Sequence, residues 1–63
     1  MLRNMNVRKY DVLLFDSDKN ERYLVSMFAN CMTAAATKAR ETIVKSGLVK
    51  SENLCIRKIY TVS

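Results

Sequence analysis

The apolar positions change period along the chain and divide it into four elements. Residues 10–15, YDVLLF, form a short run of strand-forming residues and predict a β-strand. The run stops at DSDKNE, residues 16–21, where turn formers crowd together. Residues 22–29, RYLVSMFA, are aromatic and β-branched again, and that content falls abruptly after Ala29. They predict a second strand and hence a hairpin. Asn30 follows, a residue whose side-chain oxygen suits a helix N-cap. From 31 to 46 the pattern becomes helical, with Met32, Ala35, Ala36, Ala39 and Ile43 on one face. Lys45 lies in the last turn, where a cation suits the helix dipole. Gly47 is placed to end the helix in a left-handed conformation. After a polar connection at 50–53, LCIRKIYTV, residues 54–62, predicts the last strand.

A competing pattern runs through the same residues. Asp18 and Glu21 have the spacing of a capping box. Leu24, Met27, Phe28, Cys31, Ala35, Ala39 and Ile43 would then line one long helix over 18–46. The loss of strand formers after Ala29 favours a strand followed by a helix.

The order β-β-α-β predicts an α+β fold: a three-stranded antiparallel sheet with one helix packed on one face. A crossover from the second strand to the third places the first strand in the middle. Residues 1–7 read as a flexible N-terminal segment, and 8–63 as a single small domain.

Strand residues alternate between faces. One set is Tyr10, Val12 and Leu14, then Tyr23, Val25, Met27 and Ala29, then Leu54, Ile56, Tyr60 and Val62. It is the better core, and the alanines let the helix approach it closely. The opposite face holds Lys9, Asp11, Leu13 and Phe15, then Leu24, Ser26 and Phe28, then Cys55, Arg57, Ile59 and Thr61. Leu13, Phe15, Leu24, Phe28 and Ile59 make it more apolar than scattered exposure explains, the mark of an interaction surface. Another protein or a second copy would cover it. The alternative cover is the N-terminal segment, through Leu2 and Met5.

Length sharpens this. A chain of 63 residues buries only about 60% of its unfolded surface and usually needs a staple or a partner. Staples are scarce, because the chain has no His and only two cysteines, Cys31 and Cys55, with no CxxC pair. They read as reduced, packed thiols in a cytosolic setting. No structural zinc site and no cofactor are expected. No apolar run approaches the roughly 20 residues of a membrane helix. The start, MLRNMNVRK, leads into no signal-peptide core. A cytoplasmic, non-membrane protein is expected, in the host cytoplasm if phage-encoded.

Catalysis needs a base, a nucleophile and an oxyanion site in mutual reach. Without His there is no ordinary Ser-His or Cys-His pair. Asp16, Asp18 and Glu21 cluster in the turn but lack the glycine and ligand rhythm of a calcium loop, so a solvated turn is expected. Cys31 falls near a helix N-terminus, a position that can activate a thiol, but no basic residue adjoins it in sequence. A buried packing role is expected, and no enzyme.

The net charge of +5 is uneven. Residues 1–9 carry Arg3, Arg8 and Lys9 with no acid, and the last strand carries Arg57 and Lys58. A basic excess favours acidic partners, nucleic acid or an acidic protein surface, or simply keeps the chain soluble. For nucleic acid the candidates are Arg3, Arg8, Lys9, Arg57 and Lys58, interleaved with Tyr10 and Tyr60. On strict alternation both tyrosines point toward the helix, away from the open face.

The segment MFANCMTAAATKA, residues 27–39, resembles the strand-to-helix junction x-Y/F-A-x-T/S-x-x-E-A-x-x-x-A of many small β-β-α-β proteins. Among these are the small phage T7-type inhibitors of bacterial RNA polymerase. The resemblance is one of layout and runs from about residue 10 to 60. It implies recognition of a larger host protein by basic residues of the last strand, which would fall near Lys58 and Tyr60, with Arg57 adjacent. Only Lys58 keeps a basic residue in register, and residues 32–38 lack the acids that open those helices. The expected function is therefore a small, non-enzymatic, phage-type binding protein that inhibits or modulates a host macromolecule, RNA polymerase in the most concrete version. A basic nucleic-acid-binding module and a structural homodimer subunit are the alternatives.

Overall fold

The computed structural model describes residues 7–62. The elements are β1 (Arg8–Asp16), β2 (Glu21–Ala29), α1 (Met32–Lys45), a 3₁₀ turn (Ser51–Asn53) and β3 (Leu54–Thr61). The sheet order is β2-β1-β3, with both neighbours antiparallel to β1. The hairpin forms as expected and the long helix over 18–46 does not. The layout is the expected α+β arrangement, with α1 against one face of the sheet.

β1 is central because its alternation is the cleanest. Tyr10, Val12, Leu14 and Asp16 are buried while Asp11, Leu13 and Phe15 between them are only half-buried. Ala35, Ala39 and Ile43 meet the buried row one helical turn apart, and small side chains allow that close approach. Two expectations for the helix stripe change. Met32 turns outward, and Ala36 is half-buried. A stripe of spacing four is narrower than the one drawn from sequence. Val49, in the connection after the helix, completes the core beside Leu54.

The helix also starts differently. Cys31, not Asn30, is the N-cap, in an extended conformation with no side-chain cap hydrogen bond. No acid occupies the first turn, so little in α1's N-terminus favours helix on its own and its burial against the sheet must stabilise it. The C-terminus follows expectation. The Gly47 N–H donates to the Val44 carbonyl at 3.1 Å, and Gly47 has φ 81°, which glycine adopts without a Cβ clash.

The turn between β1 and β2 is more structured than a solvated loop. Asp16 lies on the helix side of β1 and is buried. Its Oδ1 accepts the backbone N–H of Asp18 at 2.9 Å and of Lys19 at 3.3 Å, an arrangement that holds the turn from within. Asn20 takes the left-handed conformation at φ 57°, which asparagine tolerates better than most residues. The Ser17 N–H donates to the Asn53 carbonyl at 2.9 Å and joins this turn to the 3₁₀ turn before β3.

Arg40 fastens α1 to the start of β3. Its Nη1 donates to the Leu54 carbonyl at 2.6 Å, and Nη2 donates to the Ser51 carbonyl and, at 3.1 Å, to Ser51 Oγ. Hydrogen bonds from a charged donor are worth about 1.5–3 kcal/mol. That is a large share of the roughly 3–9 kcal/mol expected for a chain this long. Arg40→Ala should lower the urea-unfolding free energy by about 2 kcal/mol. Arg40→Lys should recover little of it, because an ammonium cannot span both carbonyls. A lysine variant as stable as the parent would show that the fork geometry is immaterial. Ala39→Leu should destabilise by about 1–3 kcal/mol, measured in the same way, by forcing the helix off the sheet.

Candidate functional site

The side of the sheet away from α1 has no covering element among the described residues. From β1 it presents Lys9, Asp11, Leu13 and Phe15, which alternate with the buried row. Strand pairing fixes what lies beside them. On the β2 side Phe28 is opposite Lys9, Ser26 opposite Asp11, Leu24 opposite Leu13 and Arg22 opposite Phe15. Leu24 is 60% and Phe28 64% exposed, so two large apolar side chains stand in water on one strand. Leu13 and Phe15 are less exposed because strands flank them on both sides.

β3 departs from strict alternation. Ile56 pairs with Leu14, but the next paired residue, Lys58, faces Leu13. Arg57 is therefore an extra residue on β3, a bulge that shifts every later side chain by one. Ile59 consequently pairs with Val12 and packs against the core. Its expected place on the open face is corrected. Tyr60 pairs with Asp11 and is 44% exposed on the open face, where strict alternation had turned it inward. Thr61, opposite Tyr10, moves to the helix side. Tyr10 itself is buried as expected.

The bulge also gathers cations. The Arg57 guanidinium lies over the Phe15 ring at 4.5 Å from its centroid, and the Lys58 Nζ is 5.3 Å from the centroid of Tyr60. Exposed cation–π contacts of this kind contribute about 0.5–1 kcal/mol. Among the described residues four cations (Lys9, Arg22, Arg57 and Lys58) share the face with one carboxylate, Asp11. That carboxylate accepts a hydrogen bond from Ser26 Oγ at 2.6 Å. The surface thus combines exposed Leu24, Phe28 and Tyr60 with a clear positive excess.

The remaining candidates fall elsewhere. Arg3, Leu2 and Met5 lie outside the described residues. Arg8 pairs with Ala29 at the end of the sheet, on the helix side, so it stands apart from Lys9, Arg57 and Lys58. Cys31 and Cys55 are free and exposed rather than packed. Cys31 is exposed because the helix begins one residue later, and Cys55 because it sits opposite Phe15 on the open face. On the helix side, Tyr23 donates its hydroxyl to Glu21 Oε1 at 3.0 Å. Its phenol titrates above the ordinary value, because partial burial disfavours the phenolate and the carboxylates of Glu21 and Asp16 repel it. A phenol shifted in that direction stays neutral at pH 7 and is no base. Among the described residues no three His, Cys, Asp or Glu side chains converge on a metal position, and no helix is long and apolar enough to cross a membrane.

Alternation would have served had the extra residue been seen. Its signal is the spacing of Ile56 and Ile59, three apart where one strand face requires two or four. Deleting Arg57 should restore strict alternation with Ile56 and Ile59 two apart on the helix side and Tyr60 still on the open face, at a cost of about 0.5–1 kcal/mol from the lost Arg57–Phe15 contact. Urea unfolding measures the cost, and tyrosine fluorescence quenching reads whether Tyr60 stays exposed. A deletion variant destabilised by more than about 3 kcal/mol, or one whose tyrosine quenching differs from the parent's, would refute the register. Both thiols should react with a thiol reagent in the native state without denaturant. Comparison with protein-family models, curated proteins and solved structures gives no match.

Proposed function

We propose that the chain is a non-enzymatic binding protein that acts by occupying a surface on a larger, acidic macromolecule through its open sheet face. The observation that carries this reading is the exposure of Leu24, Phe28 and Tyr60 on a face that also bears Arg57 and Lys58. Burying one such apolar side chain against a partner is worth about 1.5–3 kcal/mol. The cations add attraction and speed encounter with a negatively charged surface. The resemblance of residues 27–39 to small phage inhibitors supports a more concrete version, in which the chain inhibits or modulates a host macromolecule in the host cytoplasm. RNA polymerase is the target that resemblance implies.

Charge argues against a second copy as the occupant. A two-fold interface sets the same patch against itself, which here would bring Lys9, Arg22, Arg57 and Lys58 toward their own images with one Asp11 per copy to offset them. A monomer is expected by light scattering at low micromolar concentration.

The immobilised protein should retain a macromolecular partner from bacterial lysate. Two double variants test the face separately: Leu24→Ser with Phe28→Ser, and Arg57→Glu with Lys58→Glu. Each should abolish capture while far-UV circular dichroism stays parental, since Leu24, Phe28, Arg57 and Lys58 are exposed. Capture retained by both would remove the open face from the proposal.

A further inference from the structure

We infer that the partner of the open face is single-stranded nucleic acid, an inference that rests on the open face being the binding surface. Three features converge on it. The first is the pairing of each aromatic ring with a cation. Phe28 lies directly opposite Lys9, Arg57 covers Phe15, and the Lys58 ammonium lies over Tyr60. A nucleotide offers a flat base and a phosphate within one residue length, and a ring with a neighbouring cation matches both. Acidic protein surfaces offer the charge without the flat, stackable base.

The second feature is where the rings stand. Phe28 is on β2 opposite Lys9, and Tyr60 is on β3 opposite Asp11. Lys9 and Asp11 are neighbours along one face of β1, so the two rings lie diagonally across the sheet. Two strand spacings and two residues of rise put them roughly 12 Å apart, far enough for each to receive its own base. Arg57 lies close over Phe15 at 4.5 Å and Lys58 Nζ more loosely over Tyr60 at 5.3 Å, so Phe28 is the open platform and Tyr60 becomes one when Lys58 turns to a phosphate. Stacking on aromatic side chains of an open sheet is a common way to hold unpaired bases.

The third feature is shape. A duplex hides its base faces and is read by elements narrow enough to enter a groove. The open side of a three-stranded sheet is broad, and bases must come out to it. The same breadth predicts low sequence selectivity, because stacking accepts every base. Asp11, hydrogen-bonded to Ser26 at the centre of the face, is the one group among the described residues of that face that repels a phosphate backbone.

The test is fluorescence anisotropy with the full chain and fluorescein-labelled oligo-U and oligo-dT of about 12 nucleotides. A duplex of equal length and polyglutamate serve as comparison probes. The single strands should bind at least about 10-fold more tightly than either comparison probe. Phe28→Ala and Tyr60→Ala should each weaken single-strand binding by about 10-fold. Both side chains are exposed, and circular dichroism checks that the variants fold. Lys38→Ala on the exposed side of α1 should change little, and Asp11→Asn should tighten binding. If all four cations meet phosphates, affinity should fall about 50-fold between about 50 and about 200 mM salt. Equal binding of single strand, duplex and polyglutamate overturns the inference, as does binding indifferent to Phe28→Ala and Tyr60→Ala. No oligonucleotide binding at low salt, with nuclease-resistant capture of a protein that the open-face variants abolish, also overturns it but leaves the open face as the binding surface. Failure of both experiments removes both readings.

Discussion

A sheet has two faces, and the single helix of this chain covers one of them. That constraint orders everything else. β1 must be central, because its buried row is the one α1 can reach with Ala35, Ala39 and Ile43. The residues between that row are then committed to the other side, whatever their polarity. Leu13 and Phe15 gain partial shelter from their flanking strands, but Leu24 and Phe28 on β2 gain none. In a chain this small, conversion of those positions to polar ones would be an inexpensive improvement in solubility. Their apolar character is therefore more informative than it would be in a larger domain.

The helix side has little stability in reserve, and its fastenings are polar as much as apolar. α1 begins at Cys31 without a side-chain cap. What holds it is burial of small residues together with the forked contacts of Arg40 to the start of β3. At the far end, Asp16 organises the β1–β2 turn from a buried position, and Ser17 connects that turn to Asn53. The loops at this end form one hydrogen-bonded unit, while on the open face the described residues show only the Ser26–Asp11 side-chain hydrogen bond.

Much of this was legible in the sequence, for reasons that differ by element. The drop in strand formers after Ala29 marked where β2 gives way to α1, and Gly47 marked the helix end because only glycine takes that conformation freely. Asp16, by contrast, looked like a solvated turn acid, since burial of its carboxylate depends on backbone N–H groups that a residue pattern does not display. Arg40 lies outside the apolar stripe, and its partners, carbonyls eleven and fourteen positions away, leave no trace in the residue pattern. The open face was half right. Leu13, Phe15, Leu24 and Phe28 fell where alternation put them, while Ile59 and Tyr60 exchanged sides. Arg57 needs no glycine to form the bulge, since among described residues only Asn20 and Gly47 have positive φ. The usual punctuation of an irregular strand was therefore missing.

The extra residue in β3 has a consequence for the rims of the sheet. A further strand, from another molecule or from a misfolded copy, must meet an even row of backbone donors and acceptors. β3 does not offer one, because its register breaks at Arg57 and two adjacent cations crowd the break. β2 pairs with β1 without interruption over all nine of its residues and presents an unbroken outer rim. Strand addition and aggregation should therefore begin at β2.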